Sequence, residues 1–384
     1  MSTSRRDFLA TSAALGAAAL GLDACRPARE SEERDQPRSL RILILGGTGF
    51  IGPHFVRQAR LRGHTVTLFN RGRSNADLFP DLETLIGDRD GQLDALRGRD
   101  FDAVIDSSGY VPRHVRDSAT LLAERVSHYL FISSVSAYAD FDTPGIDEDY
   151  PLATMPDATV EEVTEDTYGP MKALAERAVT EAFPRGATVV RPGYIVGPGD
   201  TTDRWTYWPV RVAAAGEMLV PGDPGDPIQI IDARDLASFV IHLLEHRTLG
   251  AFNAVGPLAP LSMGGMLDSM SAVLGMTPRL TWVSADFLAA RGVELPIWNP
   301  PSGRYANLHR IRNDRAVAAG LFIRNATYTV FDTVQWWDRQ SASRRREMRS
   351  GLRMPPDLTS ATASLEAQMA AEARLLAEWR GTRS

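Results

Sequence analysis

The sequence contains a single cysteine, Cys25, and after it no apolar run long enough to span a bilayer. A disulfide within the chain and a metal site built from several cysteines are therefore excluded. The formal net charge is -6 and basic residues are spread along the chain, so no basic face predicts nucleic acid or an anionic membrane as the partner. The 384 residues, 43% of them hydrophobic, suffice for a buried core in one large domain or two interleaved ones.

The first 25 residues predict an export signal rather than a part of the fold. Arg5-Arg6, followed by Phe8, opens a charge-free stretch rich in Ala, Leu and Gly that runs from Leu9 to Leu22. Such a segment is typical of a signal peptide, and the arginine pair resembles a twin-arginine signal. A frayed amphipathic helix is the weaker alternative, because the stretch has no polar face. We expect the twin-arginine machinery, which carries folded proteins, to deliver the chain to the periplasm or the outer face of the membrane.

Cys25 ends this segment in a pattern, Leu22-Asp23-Ala24-Cys25, that looks like a lipoprotein processing site. Asp23 is unusual in that pattern, so a lipid anchor at Cys25 and a protein without one both stay open. Residues 26–38 are charged, contain proline and hold few apolar side chains. That composition predicts a flexible tether between the signal and the folded part.

A glycine-rich turn, Gly46 to Gly52, stands between a predicted strand at 41–45 and a predicted helix that runs to about residue 62. In such a turn Gly46 permits the tight bend, Gly49 lets the backbone approach a pyrophosphate, and Gly52 lets helix and strand pack closely. A pyrophosphate is favoured there by the free N–H groups and the dipole of the helix N-terminus. A second strand at 65–69 completes the context. We predict a dinucleotide site that includes Phe50 and Ile51, with a glycine turn unrelated to nucleotides as the alternative.

The position that would hold an acidic residue for the ribose of NAD is occupied by Asn70. Arg71 follows directly, and an arginine can pair with the 2'-phosphate of NADP. The sequence therefore favours NADP over NAD, although Arg71 and Arg73 are also explained as solvated loop charges. Two further residues are expected at the cofactor. Asp88, after a third strand, is placed to meet the adenine, and Ser107, after a fourth strand, is placed near the nicotinamide half.

The candidate catalytic residues follow a fifth strand at 129–132. Ser134 stands directly after that strand, and Tyr168 and Lys172 lie on one face of a predicted helix because they are four residues apart. With the glycine turn, this order resembles the extended short-chain dehydrogenase/reductases, a group that includes sugar-nucleotide epimerases and dehydratases. The resemblance covers about residues 40–340 and implies an NAD(P)-dependent enzyme.

The chemistry of these side chains supports the roles that the resemblance implies. A tyrosine with a pKa of about 10 is a poor acid–base group at neutral pH. A lysine ammonium and the nicotinium charge of the cofactor, both within a few ångströms, would lower that pKa, so that Tyr168 could exchange a proton with a substrate oxygen. Lys172 would also bind the nicotinamide ribose, and Ser134 would hydrogen-bond the substrate oxygen. An exposed helix pair is the alternative for Tyr168 and Lys172.

The substrate is expected to bind after a sixth strand at 189–192. There Tyr194, Arg204, Trp205 and Trp208 could line a pocket, and the aromatic residues could stack on a sugar ring. Aromatic packing between domains explains the same residues equally well. Sugar-nucleotide epimerases usually carry an arginine where this chain has Ile228, which puts a nucleotide-sugar substrate in doubt.

The expected fold class is α/β, a Rossmann-type doubly wound parallel sheet with a smaller, interleaved C-terminal substrate-binding region. Residues 39–192 would form the NAD(P)-binding domain, 193–340 the substrate-binding region together with the last sheet strands, and 341–384 a helical tail packed on the body or on a second subunit. The pattern from His242 to His246 matches a zinc-peptidase motif, but it is explained as an amphipathic surface helix, so no metal is expected.

Three functions are consistent with these features. The leading one is an exported NAD(P)-dependent oxidoreductase or epimerase that acts on a hydroxyl or carbonyl carbon of a sugar-like or small carbonyl substrate. A nucleotide-sugar epimerase or dehydratase is the alternative enzyme. A non-catalytic NAD(P)-binding sensor or RNA-binding protein is disfavoured by the intact Ser134, Tyr168 and Lys172. No nucleic-acid partner is expected, and a homodimer stays open.

Overall fold

The structure is a computed structural model that describes residues 38–354 and 364–382. The predicted signal peptide and Cys25 lie outside the described residues, as does the predicted tether apart from its last residue. Within the described part, no helix has both the length and the apolar character that crossing a membrane requires.

Seven parallel strands form the central sheet, in the order β3-β2-β1-β4-β5-β6-β10. A three-stranded sheet, β11-β9-β7, and a parallel pair, β8 and β12, lie in the second half of the chain. The strands are β1 (Arg41–Leu45), β2 (Thr65–Asn70), β3 (Glu83–Ile86), β4 (Phe101–Asp106), β5 (Val126–Ile132), β6 (Ala187–Pro192), β7 (Tyr194–Val196), β8 (Glu217–Pro221), β9 (Pro227–Asp232), β10 (Gly250–Ala254), β11 (Gly256–Ser262) and β12 (Arg279–Val283).

Helices cover both faces of the central sheet and most of the second half. They are α1 (Gly52–Leu61), α2 (Pro112–Leu122), α3 (Glu165–Ala182), α4 (Tyr207–Ala213), α5 (Ala233–Glu245), α6 (Met263–Leu274), α7 (Ala285–Ala289), α8 (Asp314–Ala318), α9 (Ala326–Asp338), α10 (Ala342–Arg346) and α11 (Leu365–Gly381).

The central sheet is buried on both faces, which explains why its strands consist of apolar runs rather than of alternating polar and apolar residues. In β1, Ile42 and Ile44 pack toward α1 and α5, whereas Leu43 and Leu45 pack toward α2 and α3. Side chains at alternate positions of a strand point to opposite faces, so one strand supplies both cores. The predicted doubly wound parallel sheet is therefore confirmed.

The second half of the chain has a core of its own, and the last helix, α11, belongs to it. Leu375 and Leu376 of α11 are buried in the same cluster as Val212 of α4 and Leu219 of β8. Of the two placements expected for the C-terminal segment, the structure shows packing on the body. The side chains of this helix complete the core of the second half, as the prediction of a helix packed on the body requires.

A buried ion pair anchors α11. Both carboxylate oxygens of Glu372 accept hydrogen bonds from the guanidinium of Arg211 in α4, at 2.8–3.0 Å, and the Tyr207 hydroxyl donates a further one at 2.9 Å. The side chains of Glu372 and Arg211 are each 1% exposed. Because neither charge reaches water, each depends on the other for compensation.

We expect Glu372→Ala to lower the free energy of unfolding by about 3–5 kcal/mol, because it leaves the Arg211 guanidinium buried without a counter-charge. Glu378→Ala is the matched control on the same helix. Glu378 is 55% exposed and pairs with Arg291 at the surface, so its loss should cost less than about 1 kcal/mol. Urea unfolding of both variants measures the difference. Equal effects would show that α11 is not held by this ion pair.

Candidate active site

A cavity of about 1630 Å³ opens at the carboxyl ends of β1, β4 and β5 and extends to residues 285–300 and 350–353 of the second half. The glycine turn, Ser134, Tyr168, Tyr194 and Arg204 all line it. Ligands of open α/β sheets bind at this edge of the sheet, so the topology and the cavity coincide.

The glycine turn has the geometry that a bound dinucleotide requires. Gly46 has a φ of +110°, which side chains rarely adopt, and a Cβ on Gly52 would lie 2.5 Å from the backbone of Gly47. A Cβ on Gly49 would meet nothing within 4 Å, so this position faces open space. Phe50 and Ile51 line the cavity beside it. No side chain caps the N-terminus of α1. Pro53 has no N–H and the His54 N–H donates to the Ile51 carbonyl at 3.0 Å, so an anion would be bound mainly by the N–H groups of the turn itself. The turn therefore fits a dinucleotide pyrophosphate.

Ser107 lines the cavity beside this turn. Its hydroxyl donates to the Leu45 carbonyl at 2.9 Å, and it lies where a Cβ on Gly46 would come within 2.8 Å. Beneath it, the guanidinium of Arg89 binds both oxygens of Asp106 at 2.6 and 2.7 Å. The carboxylate of Asp106 is thus fully engaged and holds the end of β4 rather than a ligand.

Three other residues predicted to contact the cofactor do not line the cavity. Asn70 ends β2 and Arg71 follows it, on the same carboxyl edge of the sheet but beyond β1. The Asn70 side chain accepts from the backbone N–H of Gly72 at 2.8 Å, and Arg71 is exposed. Asp88 accepts from the backbone N–H of Asp90 at 3.2 Å in the turn after β3. Their contact with a cofactor stays a prediction.

A close contact brings α3 against the residues that follow β5. A Cβ on Gly169 would lie 2.1 Å from the carbonyl oxygen of Ser136, so only glycine lets the helix approach this far. Thr164 caps the start of α3 and fixes where the helix begins. As a result Tyr168 and Ser134 line the same part of the cavity. The structure therefore brings these two predicted residues together.

Lys172, one turn further along α3, is 4% exposed. Its ammonium donates to the carbonyl oxygens of Gly109 at 2.8 Å and Ile132 at 3.0 Å, and lies 4.9–5.9 Å from the ring centroids of Phe131, Tyr110 and Tyr168. Burial lowers its pKa to about 8. It is the only lysine among the 42 lysine and arginine residues of the sequence.

The predicted lowering of the Tyr168 pKa includes the charge of a bound nicotinium ring, so it stays a prediction. In the chain by itself the shift is in the opposite direction. Burial raises the pKa of this phenol above its ordinary value, and this effect exceeds the opposite effects of its hydrogen bond to Ser134 and of the Arg204 charge. Lys172 is compensated by two carbonyls and its own pKa is low. Desolvation therefore keeps the phenol protonated, which is the state that a general acid needs.

A buried network behind these residues gave no signal in the sequence. Glu176, one turn after Lys172, accepts from Ser133 and from the guanidinium of Arg191, the latter at 2.7 Å. Arg191 also donates to the Tyr138 hydroxyl at 3.1 Å. The network joins α3, the end of β5 and β6 close to Lys172. Its members are scattered through the chain, so spacing could not have revealed it.

Of the four predicted substrate residues, the structure places two in the cavity and two elsewhere. Tyr194 and Arg204 line it. Trp205 and Trp208 are fully buried in the core of the second half. Their indole N–H groups donate to Thr333 at 3.2 Å and to the Pro296 carbonyl at 3.0 Å. A substrate role for these two tryptophans is therefore wrong, because their faces and N–H groups are already engaged.

Sequence reasoning missed several lining residues, among them Tyr110, Gln229, Asn299 and His309.

The His242–His246 segment brings His242, Glu245 and His246 close enough to share a metal ion. However, Glu245 already accepts from Arg62 at 2.6 Å and from His64 at 3.0 Å. A guanidinium beside the carboxylate opposes a further cation. The absence of a functional metal therefore stays a prediction.

Comparison with known proteins gives the family. The sequence profile of the NAD dependent epimerase/dehydratase family matches residues 42–254, which is more than half of the chain and includes the glycine turn, Ser134, Tyr168 and Lys172. The fold and the site together define a member of a dinucleotide-binding enzyme class. The chain belongs to the NAD-dependent epimerase/dehydratase family.

Individual relatives are distant. The chain is 27% identical to the chloroplast stem-loop binding protein of 41 kDa b from Arabidopsis thaliana, over 56% of the chain and 58% of that protein. It is 26% identical to dTDP-4-dehydro-6-deoxy-D-allose reductase from Streptomyces bikiniensis, over 62% of the chain and 82% of that protein. A solved UDP-glucose 4-epimerase superposes with a TM-score of 0.60 at 16% identity, over 78% of the chain and 98% of that structure. The last likeness shows the fold alone.

Because the chain has one lysine, NMR can follow Lys172 without resonance assignment. We expect protein labelled with 13Cε-lysine to give one lysine signal that titrates at a pH of about 8, because burial disfavours the charged amine. The same sample unfolded in urea is the control, and its signal should titrate at about 10.4. A midpoint of about 10 in the folded protein would contradict the burial of this ammonium.

Proposed function

We propose that the chain is an NAD(P)-dependent oxidoreductase or epimerase that acts on a hydroxyl or carbonyl carbon of a sugar-like or small carbonyl substrate. The observation that carries this proposal is that the glycine turn, Ser134 and Tyr168 line one cavity, with Lys172 buried directly behind Tyr168. Oxidation, reduction, epimerisation and dehydration all begin from such an arrangement, and the choice among them depends on the substrate.

In this proposal the turn Gly46–Gly52, at the N-terminus of α1, would hold the pyrophosphate of the cofactor. The bound cofactor would supply the hydride chemistry at the substrate carbon. Tyr168 gives a proton to the substrate oxygen or takes one from it, and Ser134 hydrogen-bonds the same oxygen. Lys172, which is charged below a pH of about 8, orients the nicotinamide ribose and supplies the positive charge that lowers the pKa of Tyr168 when the site is filled.

Two alternatives have support from particular relatives. The Streptomyces reductase is named for a nucleotide-sugar substrate, which favours a nucleotide-sugar epimerase, dehydratase or reductase. Against this, Ile228 is fully buried at the position where such enzymes usually carry an arginine. The Arabidopsis relative is named for stem-loop binding, which favours a nucleic-acid-binding or sensor protein. The acidic residues Asp140, Asp142 and Glu165 at the cavity disfavour the negatively charged phosphodiester backbone of a nucleic acid.

We also propose that the chain is exported by the twin-arginine route. Arg5, Arg6 and the apolar stretch that follows support this proposal, together with the need to fold around a cofactor before export. A lipid anchor at Cys25 and a homodimer stay open. Fractionation of cells into cytoplasm, periplasm and membrane would test both the export and the anchor.

Tyr168→Phe is expected to lower turnover about 100- to 10,000-fold, because it removes the proton-transfer group and almost no volume. A substrate is found by screening sugars and small carbonyl compounds for a change in reduced-cofactor absorbance. Tyr328→Phe is the matched control, since Tyr328 is 65% exposed on α9 and does not line the cavity. Both variants should bind the cofactor as the wild type does. Near-normal turnover of Tyr168→Phe would reject the catalytic assignment and favour a sensor.

The wild type is expected to bind NADP about tenfold more tightly than NAD, because Arg71 can pair with the 2'-phosphate and Asn70 does not repel it. Arg71→Ala should remove this preference and leave the affinity for NAD unchanged. Arg60→Ala, which removes an exposed arginine of α1, is the control. Isothermal titration with both cofactors measures the ratio. A wild type that prefers NAD, or a ratio that Arg71→Ala leaves alone, would reject the preference for NADP.

A further inference from the structure

Arg204 is a cation in the cavity that the proposed proton transfer does not use. Its side chain is half-buried, its guanidinium carbon lies 5.5 Å from the centroid of the Tyr194 ring, and its Nε donates to the Thr202 hydroxyl at 3.1 Å. Its charge is close enough to Tyr168 to act on the pKa of that phenol. The guanidinium therefore stands beside the place where a substrate would react.

Arg204 also has no counter-charge in the described part of the chain. Among residues 38–354 and 364–382, no aspartate or glutamate forms an ion pair with it, and its one hydrogen bond leaves most of its five N–H donors for a ligand. Another arginine of the cavity, Arg304, is paired with Asp166. A half-buried guanidinium that lines a cavity without a carboxylate partner is suited to bind an anionic ligand.

The side chains that contact the Tyr194 ring and its hydroxyl, next to Arg204, are neutral. The Tyr194 hydroxyl donates to Asn299 at 3.1 Å. His309 stacks on Tyr194, and burial lowers the pKa of His309 to about 4, so it is uncharged at neutral pH. Its ring nitrogens are bonded to the Gln229 N–H and the Ile297 carbonyl. Tyrosine and amide side chains suit the hydroxyl groups of a sugar-sized molecule, whereas a single positive charge suits a single negative one.

Other carboxylates of the cavity limit the charge that a substrate can carry. Burial raises the pKa of Tyr194, and Glu165 and Glu294 lie close enough to add to that rise. Asp140 and Asp142 also line the cavity. These groups would repel a ligand with several negative charges, such as a nucleoside diphosphate, more strongly than one with a single charge. Bidentate pairing with a guanidinium matches one carboxylate.

We propose that Arg204 binds the carboxylate of a sugar-sized hydroxy acid or keto acid, such as a uronic acid, and so selects a singly charged substrate without a nucleoside diphosphate. This inference rests on the proposed function, because Tyr168 must meet the hydroxyl or carbonyl carbon of the same molecule. Arg204 then determines specificity, and the proton transfer stays with Tyr168.

The test is a binding measurement on the full chain saturated with NADP⁺. Four probes separate the two features: glucose, glucuronate, UDP-glucose and UDP-glucuronate. We expect glucuronate to bind about tenfold or more tightly than glucose, and more tightly than UDP-glucose, because a charge-assisted pair forms with Arg204. Arg204→Gln should bind glucose and glucuronate equally, since glutamine retains polarity but carries no charge. Arg204→Lys should keep part of the preference.

Arg353→Gln is the matched control, because Arg353 also lines the cavity but is exposed beside Glu294. It should keep the preference for glucuronate. The inference is overturned if the wild type binds glucuronate no better than glucose, if UDP-glucose binds at least as tightly as glucuronate, or if Arg204→Gln keeps the preference. Failure of the proposed function would give a different result, since the wild type would then bind neither NADP⁺ nor NAD⁺.

Discussion

The geometry of the candidate site depends on the hydrogen bonds that the buried Lys172 ammonium donates to two backbone carbonyls. Through its two hydrogen bonds it joins the backbone that follows β4, at Gly109, to the end of β5, at Ile132, and both to helix α3. Taking an ammonium out of water is costly, and two carbonyl oxygens and three aromatic faces offset this cost. Tyr168 lies one turn earlier on the same helix, so its position beside Ser134 follows from the same contacts.

A lysine performs this role where an arginine could not. Of the 42 lysine and arginine residues in the chain, 41 are arginines, and the one lysine occupies the buried site below the cavity. An ammonium is compact and can lose its proton when buried, whereas a guanidinium is larger and stays charged. The buried pairs Arg89–Asp106 and Arg191–Glu176, on either side, show that arginine serves where a carboxylate can bind it bidentately.

Much of the fold could be predicted from the sequence because the central strands are apolar runs, buried on both faces and followed by glycine or polar residues. The residues of the candidate site were predictable only where their spacing in the sequence places them together, as with Tyr168 and Lys172 on one helix face. The tryptophans show the limit. An aromatic cluster after a strand fits a pocket and a core equally well, and the contacts that bury Trp205 and Trp208 come from residues about 90 to 130 positions later. The same limit hid the Glu176 network.

We expect the charges of the cavity, rather than the candidate catalytic residues, to select the substrate. Ser134, Tyr168 and Lys172 suit any hydroxyl or carbonyl carbon, so they cannot select a substrate. Selection must come from groups that contact the rest of the molecule. Here Ile228 is apolar and buried, Arg304 forms an ion pair with Asp166, and Arg204 lies close to Tyr168 without an ion pair among the described residues. A ligand gains most binding free energy in such a cavity when it carries a small negative charge close to the reacting carbon. The uncompensated Arg204 guanidinium lies at that place.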